Sequence, residues 1–170
     1  MTNEEEFLRI SADKLIQLAD RIGQCLDRLS EDQIWARESK NENAIGNLVL
    51  HLAGNLRQWI GMGVAGQADI RVRDEEFAAR GGVPVCDLKM HLQKAVQECV
   101  ETIRALPAQR LQERTTVQNY NVTVLEAIYH VVEHFSGHAG QIIFGTKLLT
   151  SADLAFYPHL RQSSHAEKTP

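Results

Sequence analysis

The sequence predicts an all-α fold, a four-helix bundle with a long crossover between its second and third helices. Three observations predict it. Four segments carry apolar residues at three- and four-residue steps, almost nothing alternates as a half-buried strand does, and capping or breaking residues stand at the segment ends. With 170 residues, the chain is long enough for one proper core and short for two. Residues 1–162 are expected to form a single domain and residues 163–170 a disordered tail.

The first helix is expected from Glu5 to Leu29, where Phe7, Ile10, Leu15, Leu18, Ile22, Leu26 and Leu29 make one stripe. A polar connection begins at Ser30. The second helix is expected to start with Asn43 as N-cap and to carry Ile45, Leu48, Leu52, Leu56 and Trp59 on one face. It runs into Gly61, Gly63 and Gly66. From there to Pro84 the chain is charged and punctuated, a crossover with one short helix near Glu75 to Ala79, and a segment that could close over a site as a lid or simply connect two helices. Asp87 is a good N-cap for the third helix, whose period ends at Pro107. After a short polar segment, Thr123 and Glu126 read as a capping box for a fourth helix reaching about Leu149.

Composition narrows the function classes. Charged residues are 24% of the chain and hydrophobic ones 44%, ordinary globular values. Eighteen basic residues against 22 acidic ones form no basic stripe, which argues against nucleic acid as a partner. The apolar runs are too short for a membrane span. The opening MTNEEEFLRI is acidic where a secretory signal is basic, and Cys25, Cys86 and Cys99 form no pairing motif, so a reducing cytoplasmic setting is expected.

The informative stretch is AIYHVVEHFSGHAGQ, residues 127–141. At 100° per residue, His130, His134 and His138 fall within about 80° of one another, with Gln141 among them. Val124, Ile128, Val131, Phe135, Ala139 and Ile142 fill a separate apolar face, and Glu126, Tyr129, Glu133, Ser136 and Lys147 the remainder. Imidazoles four residues apart on a helix stand side by side and can converge on one ion. One lone histidine on such a face is ordinarily a hydrogen-bonded polar group; three together point to metal. A further ligand is available in the second helix, where His51 sits among Leu48 and Leu52 with Asn47 and Asn55 a turn away. An unpaired imidazole in that setting is costly, and a ligated one is satisfied.

Competing motifs fail. His130-Val-Val-Glu-His134 has the H-x-x-E-H form, with Glu133 as general base, but a metalloprotease of that kind needs a downstream carboxylate ligand. Only Asp153 and Glu167 follow His138. The Glu-x-x-His pairs of a di-iron bundle are absent, and no cysteine falls at a nucleophile motif.

His51, joined to His134-Phe-Ser-Gly-His138-Ala-Gly-Gln141 and to the surrounding TVLEAIYHVVEHFSGHAGQIIFGTKLL, resembles the signature of the DinB/YfiT-like metalloenzyme superfamily, in an uncharacterised bacterial branch. The resemblance runs from the first helix to Leu160. It implies a four-helix bundle, usually a homodimer, with one divalent ion, nickel or zinc, on His51, His134 and His138; His130 is outside the usual triad but remains a candidate. It also implies a metal-dependent transferase or hydrolase acting on a small molecule, with a low-molecular-weight thiol as a candidate substrate. Gln141 could orient a ligand or the bound nucleophile, and Glu133 or His130 could act beside it. The rival reading is a non-catalytic metal-stabilised bundle in stress response or protein interaction, its coordination closed by His130 or His159.

Overall fold

The computed structural model describes residues 1–157. The expected tail, and His159 with it, lie outside the described residues. Helix α1, Asn3–Leu26, opens on Thr2, whose side chain accepts the Glu5 N–H while Glu5 reaches back to the Thr2 N–H. Its inward stripe is Leu8, Ala12, Leu15, Leu18, Ile22 and Cys25, so the expected start of the stripe at Phe7 and Ile10 is corrected: Ile10 is exposed. Counting back from Leu15 in helical steps lands on Leu8, Ser11 and Ala12, and the two small residues are inconspicuous in a search for bulk.

The connection after Ser30 contains a short helix α2, Glu31–Trp35, with its own Ser30–Gln33 capping box and a buried Ile34. Helix α3, Ile45–Leu56, takes Ala44 rather than Asn43 as N-cap. Alanine has no capping oxygen, and Asn47 supplies one by accepting the Ala44 N–H at 3.1 Å. The helix continues as a π-helical turn, Arg57–Met62. In the crossover, α4 spans Arg73–Ala78, close to the expected short helix.

Helix α5, Val85–Ala105, starts behind Pro84, whose carbonyl accepts from both Asp87 and Leu88 at 3.0 Å. Asp87 therefore stands inside the first turn and is not the cap, because proline's fixed φ already sets the entry. A 3₁₀ turn, Ala108–Gln112, buries Leu111. The segment expected to be merely polar is an antiparallel hairpin, β1 Arg114–Val117 and β2 Tyr120–Thr123, with Val117 paired to Tyr120. Gln118 and Asn119 both have positive φ, 52° and 66°, as a two-residue turn matching strand twist requires. Helix α6, Val124–Thr150, begins on the expected Thr123–Glu126 box.

Helices α1, α3, α5 and α6 form the four-helix bundle: α1 packs against α5 and α6, and α3 against the same two. Leu15, Ile22, Leu52, Leu56, Leu88, Ile103, Ile128 and Phe135 are fully buried in one continuous core. Each such side chain contributes about 1.5–3 kcal/mol of burial free energy. No helix among the described residues is long and apolar enough to cross a membrane.

Candidate metal centre

The histidines stand in the seam between α3 and α6, the less closely packed of the bundle's contacts. His51 is 6% exposed, and His134 and His138 are partly buried. One ring nitrogen from each of the three lies within 4.8 Å of the others. The His51 and His134 Nε2 atoms are 3.1 Å apart. Two nitrogens bound at 2.0–2.1 Å to one ion stand roughly 2.9 Å apart at a right angle and roughly 3.4 Å at the tetrahedral angle, so this pair is set at ligating separation.

The chemistry of the donors fits a cation. His51 Nδ1 lies 3.0 Å from both Glu76 Oε2 and Arg71 Nη2; Arg71 Nη2 already donates to Glu76 Oε2 at 2.7 Å, and with the Nδ1 proton turned to that carboxylate the ring presents Nε2 unprotonated. The His51 Nε2 lone pair is thereby left for an ion. Likewise His138 Nδ1 donates to Gln141 Oε1 at 2.7 Å, which frees its Nε2. Burial, reinforced by the neighbouring His138, His51, His130 and Arg71, pushes the His134 pKa down to about 3. Burial also lowers His138, against an opposing hydrogen bond to Gln141. Both rings are held neutral, as ligands must be. The His134 Nδ1 atom is buried without a partner among the described residues.

Glu76 is the residue the sequence did not single out. It reaches His51 from α4, and Arg71 grips it in a bidentate pair, Nε to Oε1 and Nη2 to Oε2, both 2.7 Å. The pair is deeply set, with the Arg71 side chain 4% and the Glu76 side chain 11% exposed. Burial opposes ionisation of Glu76, but hydrogen bonds from Arg71 and His51 outweigh it and hold the carboxyl below its ordinary value. Gly54, on α3 one turn after His51, makes room: a Cβ there would stand 2.0 Å from Glu76 Oε1 and 2.9 Å from Arg71 Nε. Asn47, one turn before His51, donates to the Glu76 and Ala79 carbonyls at 2.7 and 3.0 Å. Arg37 bonds to Asn47 Oδ1 and to the Ala79 carbonyl. One face of α3 thus holds the crossover in place, and the crossover holds the His51 ring.

The other predicted site residues are placed as follows. Gln141 touches His138, as above. His130 lies outside the converging three; its ring packs on Trp59 with centroids 4.0 Å apart. Glu133 is exposed, and its charge acts on His130, whose pKa burial lowers and Glu133 raises. A cleft of about 470 Å³ opens beside His51 and His134, walled by Trp59, His130, Tyr120 and Arg73. The hairpin therefore shapes the approach to the histidines. A buried histidine calls for an Nδ1 acceptor, but among Asp69, Asp74, Glu75 and Glu76 the sequence alone does not choose.

Comparison with known proteins agrees with the resemblance read from the sequence. Among solved structures, a conserved protein of Enterococcus faecalis is similar over 85% of this chain and 97% of its own, at 14% identity and a TM-score of 0.70. A DinB-like protein of Bacillus subtilis, YjoA, is similar over 86% of this chain and 96% of its own, at 15% identity and a TM-score of 0.66. The fold is DinB-like. No curated protein matches in sequence. The model of the family described as "Protein of unknown function (DUF1572)" matches residues 2–158, and the chain belongs to that family.

Proposed function

We propose that this chain is a metal-dependent enzyme that holds one divalent ion, nickel or zinc, on His51, His134 and His138 and transfers a small thiol to an electrophilic acceptor. The observation that carries the reading is the convergence of three imidazoles, two of which, His51 and His134, line a cleft large enough for a small molecule. Bound there, the ion would supply Lewis-acid charge that lowers the pKa of a thiol or water in an open position. The remaining work belongs to the chain. Glu76 and Gln141 fix two imidazole tautomers, and Arg71 fixes Glu76. His130, whose pKa burial lowers despite the opposing charge of Glu133, stands on the cleft wall as a neutral base that can accept a proton from substrate. The homodimer is proposed on the same footing; Phe144, Leu148 and Leu149 give α6 an exposed apolar face for an isologous contact.

Cobalt substitution tests the reading. A small thiol added to the cobalt protein should produce a sulfur-to-metal charge-transfer band and be transferred to an electrophile. His51→Ala should lose band and rate together, while a triple Cys→Ser variant of Cys25, Cys86 and Cys99 keeps both. Four protein ligands around the ion, with no spectral response to several thiols, would leave a non-catalytic metal-stabilised bundle.

A further inference from the structure

Among the described residues, the cleft has one cation with no ion pair. Arg71, its neighbour in the crossover, is committed to Glu76, whereas Arg73 forms no ion pair among the described residues. Its guanidinium lies over the Phe77 ring at 4.8 Å, and the same ring stands 4.7 Å from the His51 imidazole. Phe77 is thus a common platform, and guanidinium and imidazole cannot lie farther apart than those two distances together. The cleft also has an aromatic wall: Trp59 packs on His130 and stacks on Tyr120 with centroids 6.5 Å apart. Glu126, the one carboxylate lining the cleft, is occupied by the Thr123 N–H at 2.6 Å and hydroxyl at 3.0 Å at the start of α6. Its charge is partly offset by the positive end of the helix it caps.

From this arrangement we infer that the cleft takes a small organic anion with an unsaturated or aromatic body. Its carboxylate, sulfonate or phosphate would pair with Arg73, its body would rest against the Trp59–Tyr120 wall, and its reactive end would reach His51 and His134. A guanidinium suits the anion because it pairs in a bidentate fork, and an aromatic wall suits a flat body. The inference names the substrate class for the site proposed above and rests on that assignment of the site, but not on the thiol chemistry.

The test uses zinc-loaded protein labelled with ¹⁵N and two probes of similar shape, phenylmethanesulfonate and benzyl alcohol, the first a poor metal ligand. The buried indole N–H of Trp59 is the reporter, assigned with Trp59→Phe. The sulfonate should shift it saturably and bind at least tenfold more tightly than the alcohol, less so as salt is raised. Arg73→Gln should erase the difference, and Arg73→Lys should restore part of it. Equal binding of the two probes, or selectivity that survives in Arg73→Gln, overturns the inference. A cobalt–thiol band with no Arg73-dependent selectivity defeats this inference alone. Selectivity without a thiol band defeats the thiol reading alone.

Discussion

The α1–α5 and α3–α6 seams of the same bundle are built to opposite rules. Between α1 and α5 the interior is apolar, from Leu15 and Ile22 to Leu88 and Ile103, and charge is kept at the exposed rim in Asp27–Lys89 and Asp13–Arg104 pairs. Such rim pairs contribute little, and packing does the work. Between α3 and α6 the interior holds His51, Asn55, His134 and His138, and the crossover adds a buried Arg71–Glu76 pair. Each buried polar group there needs a partner, so the seam depends on matched hydrogen bonds and on a ligand for the facing nitrogens. One seam is built for packing, and the other gives up close packing to bring three histidines together.

The largest expected effect separates the two. Wild-type protein should carry about one divalent ion per chain, and His134→Ala or His138→Ala should remove nearly all of it, as read by elemental analysis. His130→Ala should leave it, since that ring packs on Trp59 outside the converging set. Leu15→Ala, in the apolar seam, should instead lower unfolding free energy by about 2–5 kcal/mol with metal content intact. Metal loss from that variant in its folded state would show that the seams are not independent.

A third experiment asks how far the metal seam extends into the crossover. Gly54→Ala drives a methyl group into the Glu76–Arg71 pair, and Glu76→Gln removes the charge behind His51. Each should weaken metal affinity by about 10- to 100-fold, the usual cost of losing support behind a ligand. Unchanged affinity in both variants would confine the centre to the helices.

Smaller effects follow from acid and from mass. In chelator-treated protein, stability should fall as pH drops below the ordinary histidine value of 6.5. The unfolded chain then takes up protons that folded His134 refuses until about 3, and folded His138 and His130 also resist. Between those limits the unfolded state binds more protons, so acid favours it. Thermal melts across that range test the sign; a flat profile contradicts it. Light scattering should return twice the chain mass of 19.1 kDa, and the single-chain value would remove the dimer.

Much of this was legible before any coordinates. Helical spacing gave the four long helices, and the Thr123 box located the start of α6. The same spacing set Glu126, Tyr129, Glu133, Ser136 and Lys147 apart from the apolar and histidine faces, and all five are exposed. The hairpin was missed because Thr115, Thr116 and Val117 are only three β-branched residues beside polar neighbours, and the Gln118–Asn119 turn lacks the glycine that flags such turns. The Asp87 and Asn43 caps were misplaced because Pro84 and Asn47 settle those entries by other means.

The sequence by itself determined which residues share a helical face, because a 3.6-residue period is a property of the local backbone. That sufficed for the four-helix fold and for the row His130, His134, His138. Spacing alone did not choose which α6 histidines meet His51, a choice that only the family resemblance made, nor did the sequence show that Glu76 among several acidic neighbours turns inward to it. Those choices depend on the distance between helices far apart in the chain and on the path of a crossover that α3 pins through Asn47 and Gly54. Only tertiary packing fixes them, because a buried charge is tolerated where partners from separate segments arrive together.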